Sequence, residues 1–169
     1  MRSVYLAVCL TWAILSATAR SASIDIRPMG PGLPDLIVVH GELIPADIER
    51  FKAVAEIPTR AVVAFAGPGG SVIAGTSIGE MIRLKNFGAI VLNGDECASA
   101  CALAWLGGTR RYLGQGSKIG FHAAHSAGSG DVSGVGNAIV GAYLNKIGLP
   151  TQAIIYITSA PPARYCGSP

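Results

Sequence analysis

Charge is scarce in this sequence. Of its 169 residues only 14% are charged, against 50% hydrophobic, and the formal net charge is +3. The lysines and arginines are scattered, with no basic cluster interleaved with aromatics, so no nucleic-acid partner is expected. After Leu15 no apolar run is long enough to span a bilayer. Cysteines are too few for a zinc pattern, because Cys97-x3-Cys101 has no matching second pair; no metal ion and no other cofactor is expected. Ser99 does not sit in a G-x-S-x-G elbow, its neighbours in "CASAC" being cysteine and alanine, so the nucleophile of an α/β-hydrolase is not expected there. What is present is globular: an apolar composition with 22 glycines, in a chain long enough to close one core.

The first residues read as an export signal. Arg2 supplies the positive end, Val4 to Leu15 the apolar stretch, and Ala17 and Ala19 satisfy the small-residue rule for cleavage after Ala19. Residues 1–19 are therefore expected to be a signal peptide, leaving no stable membrane anchor once cleaved. Cleavage removes Cys9 and leaves Cys97, Cys101 and Cys166 in a compartment that permits disulfides. A Cys97–Cys101 bridge lies at the edge of helical reach, so the spacing leaves it open.

Residues 20–35, rich in proline and glycine, read as a loose arm. From 36 to 158 strand and helix alternate. "LIVVHGEL" (36–43), "RAVVAFAG" (60–67) and "GAIVLNG" (88–94) have the β-branched, apolar character of buried strands. "PADIERFKAVAEI" (45–57) and "SVIAGTSIGEMIRLK" (71–85) have helical spacing, the second with Ser71 as N-cap. A short apolar helix is expected from about Ala98 to Leu106, one or two short strands within 110–125, and a helix ending at Gly148. Pro150 opens a last helix to about Ile157, and 159–169 reads as an irregular tail. The alternation predicts an α/β fold with a largely parallel sheet.

Within "NGDECASACALAWLGG" (93–108), Ser99 stands where a strand gives way to a helix. A hydroxyl is exposed there and backbone N–H groups converge. The alternative is a small residue that lets the helix pack closely on the sheet. Of the three histidines, His122 ends a probable strand; His125 reads as a solvated loop residue, a second base, or with His122 half a metal site. Gly69 and Gly70 in "GPGG" allow backbone N–H groups to approach a substrate. Asp95 and Glu96 precede the helix and favour its dipole, and Arg110 and Arg111 read as a solvated corner.

The order of these motifs resembles the Clp protease proteolytic subunit, of the Clp/crotonase superfamily, which has signal-peptide peptidases as exported relatives. "GPGGSVIAG" (67–75), "CASACALAWLGG" (97–108) and "IGFHAAH" (119–125) carry the resemblance. It implies a crotonase-like spiral of β-β-α units. It also implies Ser99 as nucleophile, His122 as general base, and the N–H groups of Gly69 or Gly70 with Ala100 as oxyanion hole. Assembly of copies would run through the helix Gly136–Ile147, and the substrate would be a peptide or protein. Lys118 enters because some exported relatives use a Ser–Lys dyad. The departure is at the acid: the family's aspartate falls near Ile157 or Thr158, and Asp131 is the only carboxylate residue beyond His122. Two readings follow. One is an exported, ATP-independent serine hydrolase, a peptidase of the bacterial periplasm. The other is a catalytically impaired member of the fold, acting in binding or assembly. A hydratase acting on acyl-CoA fits less well, given the export signal and the lack of paired carboxylates.

Overall fold

The computed structural model describes residues 21–126 and 128–161. The proposed signal peptide and Cys166 lie outside them. Seven strands and five helices are present among the described residues: β1 (Ser23–Arg27), β2 (Asp35–His40), α1 (Asp47–Ala55), β3 (Ala61–Ala66), α2 (Val72–Leu84), β4 (Gly88–Val91), β5 (Glu96–Ala98), α3 (Ala100–Leu106), β6 (Arg111–Leu113), β7 (Lys118–Gly120), α4 (Gly134–Lys146) and α5 (Thr151–Ser159). The main sheet runs β1-β2-β3-β4-β6, and β5 pairs with β7 in a second, two-stranded sheet. Every strand pairing is parallel except β1 with β2. This is the largely parallel α/β architecture that the alternation predicts.

The expected loose arm is in part a strand. Ala22, Ile24 and Ile26 alternate with Ser23, Asp25 and Arg27, a two-residue period that the prolines and glycines after Arg27 obscure. Pairing with β2 buries Ala22 and Ile24. The start of the strand is held by Asp47, a fully buried carboxylate. It accepts hydrogen bonds from Ser21 Oγ (2.7 Å), the Ile44 N–H (2.9 Å) and Arg50 Nη1 (2.7 Å).

The core lies between the main sheet and helices α1, α2 and α3. Ile37, Val63 and Val91 meet Phe51, Ile78 and Ile82, all essentially without solvent contact. Burying each such side chain contributes about 1.5–3 kcal/mol. Helices α2 and α3 approach closely at Gly75, where a Cβ would fall within 3.0 Å of the Ala100 backbone. That contact sets the first turn of α3 against the start of α2. Ser71 caps α2 as its sequence predicts, its hydroxyl accepting from the Ala74 N–H at 3.3 Å.

Candidate functional site

Parallel strands deliver their following loops to one edge of the sheet, where ligands of open α/β folds bind. Here the segments after β2, β3, β5 and β7 meet at that edge and line a groove of about 910 Å³. Ser99, His122, His125 and Gly70 lie on it, beside apolar side chains including Ile44, Ile73, Val135 and Ile139. The structure thus brings the two residues proposed for catalysis into one cleft.

Helix α3 begins at Ala100, not at Ala98. Glu96–Ala98 form β5, and Ser99 occupies the turn between strand and helix with φ 54° and ψ −124°. A non-glycine residue at positive φ costs on the order of 1–3 kcal/mol and persists only where its surroundings hold it. The Ser99 N–H donates to Gly120 O (2.8 Å), at the end of β7, and the Ser99 carbonyl accepts from the Leu103 N–H (3.0 Å). Cys97 and Cys101 are joined by a disulfide with Cα atoms 5.4 Å apart, so the cross-link closes around the serine. Both cysteines are buried, while Ser99 is half-buried and its hydroxyl does not cap the helix.

The Pro68–Gly70 loop is tied down on both sides. Gly67 exchanges hydrogen bonds with β5, from its N–H to Glu96 O (2.8 Å) and from the Ala98 N–H to its carbonyl (3.0 Å). The Leu43 N–H donates to Gly69 O (2.7 Å), and the Ser71 N–H to Leu43 O (2.8 Å). Gly69 has φ 113°, and a Cβ there would stand 2.6 Å from Ser99 Cβ and 2.9 Å from Ala100 N. Only glycine fits so close to the serine. Among the described residues no acceptor takes up the N–H of Gly69, Gly70 or Ala100. Gly69 and Ala100 thus stand beside the serine and Gly70 lines the same groove, and backbone N–H groups left without an acceptor are the elements from which an oxyanion hole is made.

His122 is half-buried, and its Nδ1 lies 2.8 Å from the carbonyl oxygen of Ala123. A carbonyl oxygen only accepts, so Nδ1 carries the proton and the neutral ring keeps its lone pair on Nε2. The peptide that holds the ring is itself held. The Ala123 N–H donates to Ala160 O (2.8 Å), just past α5, and the Ala124 N–H to Asn137 Oδ1 (2.9 Å) on α4. Among the described residues no carboxylate pairs with His122. Ile157 is buried, and the Thr158 hydroxyl is spent on Ile154 O at 2.8 Å. Asp131 is exposed and, among the described residues, its carboxylate forms no ion pair. Sequence reasoning missed Ala123, Asn137 and Ala160. Asn137, a polar residue between Gly136 and the apolar Ala138–Val140 of α4, was the one available signal.

The His125 ring centroid lies 5.0 Å from that of His122, but no cluster of three metal-ligating side chains is present among the described residues. Lys118 is exposed on β7 and Lys146 is paired with Glu80 at 2.7 Å; neither lines the groove. Arg111 is not simply a solvated corner residue. Its Nη1 donates to Leu106 O (2.9 Å), as does Arg83 Nη2 (3.3 Å), so both cations stand at the C-terminal end of α3. Burial, and secondarily Arg83, lower the pKa of Arg111 from its ordinary value.

No protein-family model and no curated protein matches the sequence. Solved structures do match the fold. One is the 1510-N membrane-bound stomatin-specific protease in a serine-to-alanine variant, with TM-score 0.55, 18% identity, and coverage of 72% of this chain and 67% of that one. Another is a lysine-to-alanine variant of the same protease in complex with a substrate peptide, with TM-score 0.56, 19% identity, and coverage of 72% and 64%. The chain thus spans about two thirds of the length of these proteins. It shares their mixed α/β fold of β-β-α units, the Clp-like protease fold that the order of its motifs implies.

Proposed function

We propose that the protein is a serine hydrolase acting on peptide bonds, with Ser99 as nucleophile and His122 as general base. The observation that carries this reading is Ser99 itself: a strained serine on a groove, next to Gly69 and Ala100 whose N–H groups have no acceptor among the described residues, and sharing the groove with a histidine whose Nε2 is free. His122 Nε2 takes the Ser99 proton as Oγ adds to the substrate carbonyl. The N–H groups of Ala100 and Gly69 or Gly70 receive the oxyanion. The imidazolium then returns its proton to the leaving amine, and water attacks the resulting acyl-serine by the same route. A peptide substrate is supported by the substrate peptide bound to a protein of like fold. That protein's lysine variant draws attention to a Ser–Lys dyad, yet among the described residues no lysine lines the groove.

In a catalytic triad an acid holds the histidine tautomer and stabilises the imidazolium. The Ala123 carbonyl performs the first task but supplies only a dipole for the second. Slow turnover is therefore part of the proposal. Export to a periplasm, and with it independence of an ATP-driven partner, rests on the pattern of residues 1–19. Assembly of copies through α4 rests on the family resemblance. The second reading, a binding module without turnover, is favoured by the missing carboxylate at His122.

Labelling with a fluorophosphonate separates the two. The hydrolase reading predicts covalent modification at Ser99 that is lost in Ser99→Ala and much reduced in His122→Ala. No labelling of the folded wild-type protein would refute it and favour the binding module.

A further inference from the structure

The edge of the main sheet opposite the Ser99 groove is the N-terminal one, where β2, β3, β4 and β6 begin. It carries a second cleft of about 470 Å³, lined among others by Pro34, Arg60, Lys85, Arg110 and Tyr112, and by no carboxylate. Among the described residues the ion pairs are Asp47–Arg50, Glu49–Lys52 and Glu80–Lys146, all away from this cleft. Arg60, Lys85 and Arg110 thus lack an acidic partner, as does Arg27 at the adjoining end of β1. Two carboxylates, Asp35 and Glu56, stand near this edge, and neither lines the cleft nor pairs with its cations.

Apolar side chains project from the same loops. Leu33 precedes Pro34 and is 59% exposed; Leu84 precedes Lys85 and is 81% exposed; Ile57, in the turn that leads to Arg60, is 66% exposed. Leucine and isoleucine that stand out in solvent between unpaired cations suit one kind of partner best. Lipid phosphates satisfy the cations while the apolar tips enter the headgroup boundary. A free anion would use the cleft but leave Leu33, Ile57 and Leu84 in water.

We propose that this N-terminal edge docks on an anionic membrane surface, with Arg60, Lys85 and Arg110 against lipid phosphates and Leu33, Ile57 and Leu84 inserted among the headgroups. Docking in this pose leaves the Ser99 groove, on the opposite edge, open to the aqueous side. The inference does not depend on the hydrolase reading, because it uses none of the groove residues.

The test is co-sedimentation with vesicles of phosphatidylcholine alone and of phosphatidylcholine and phosphatidylglycerol in equal parts. The wild-type protein is expected to partition to the anionic vesicles well above the neutral ones, and less so as salt is raised. Lys85→Glu with Arg110→Glu should lower that partition by about 30-fold or more, the loss that follows from removing the attraction of two surface cations. Leu84→Ser, at an exposed position that folding does not need, should lower it several-fold at unchanged circular dichroism. Equal partition to both vesicle types, no partition to either, or unchanged partition of the variants would each overturn the proposal. So would saturable binding of inorganic phosphate or polyglutamate that the same variants abolish, in the absence of vesicle binding.

Discussion

Gly69→Ala puts the geometry around Ser99 to its hardest test. Gly69 has φ 113°, and the added methyl would stand 2.6 Å from Ser99 Cβ, 2.8 Å from Ala98 O and 2.9 Å from Ala100 N. Two of those neighbours are backbone atoms and the third is the first side-chain carbon of a serine whose own φ is positive, so no flexible tip can yield. The left-handed conformation alone costs an alanine about 1–2 kcal/mol. Overpacking at a site that cannot relax adds about 1–3 kcal/mol. The combined cost of about 2–5 kcal/mol lowers the melting temperature by roughly 5–20 °C for a domain of this size. The methyl also stands over the Ala100 N–H, and loss of one oxyanion donor slows acylation about 10²–10³-fold. The assay pairs a thermal melt with fluorophosphonate labelling at a temperature where both proteins are folded. Wild-type stability together with wild-type labelling would refute the reasoning. A destabilised variant that labels at the wild-type rate would refute the oxyanion assignment alone.

Three further outcomes follow from individual contacts. Asn137→Ala removes the acceptor for the Ala124 N–H, costs about 1–2 kcal/mol in urea unfolding, and slows labelling of Ser99 through a displaced His122. Its labelling defect should exceed that of an exposed α4 control such as Ala138→Ser. Replacing both Cys97 and Cys101 by alanine removes a cross-link around five residues, worth about 2 kcal/mol of chain entropy, and should loosen the Ser99 turn enough to lower labelling in the folded state. Asp47→Ala removes a buried carboxylate, leaves the Ser21 hydroxyl, the Ile44 N–H and Arg50 Nη1 without that acceptor, and should cost about 2–4 kcal/mol by denaturant titration, with β1 exchanging its amide hydrogens first.

Much of the architecture was legible because strong local signals agreed with the fold. β2 and β3 carry unbroken apolar runs, Ser71 caps α2 from its side chain, and Gly148 takes φ 84° just past α4. Where signals were short or mixed, reading failed. β1 was lost beneath the prolines that follow it. β5 has three residues, too few for a period, and so it went unread and its last residue, Ala98, reads as part of the helix after it. The bend at Ser99 separates the two cysteines onto different elements, which spacing along one helix could not anticipate. At the site, Ser99, His122 and the glycine pair stood out as residue types in an informative order. The partner of His122 did not, because it is a main-chain carbonyl. Every residue has one, and only the packing of α5 and α4 around 123–124 selects which one meets the imidazole.

The central claim is that His122 is held as a competent base without a carboxylate. A long-range ¹⁵N–¹H correlation spectrum of the imidazoles, with His122 assigned through His122→Gln, reads this directly. The account predicts a neutral His122 protonated at Nδ1 and bare at Nε2. A His122 resonance pattern with the proton on Nε2 would contradict it, since that ring could not take the Ser99 proton.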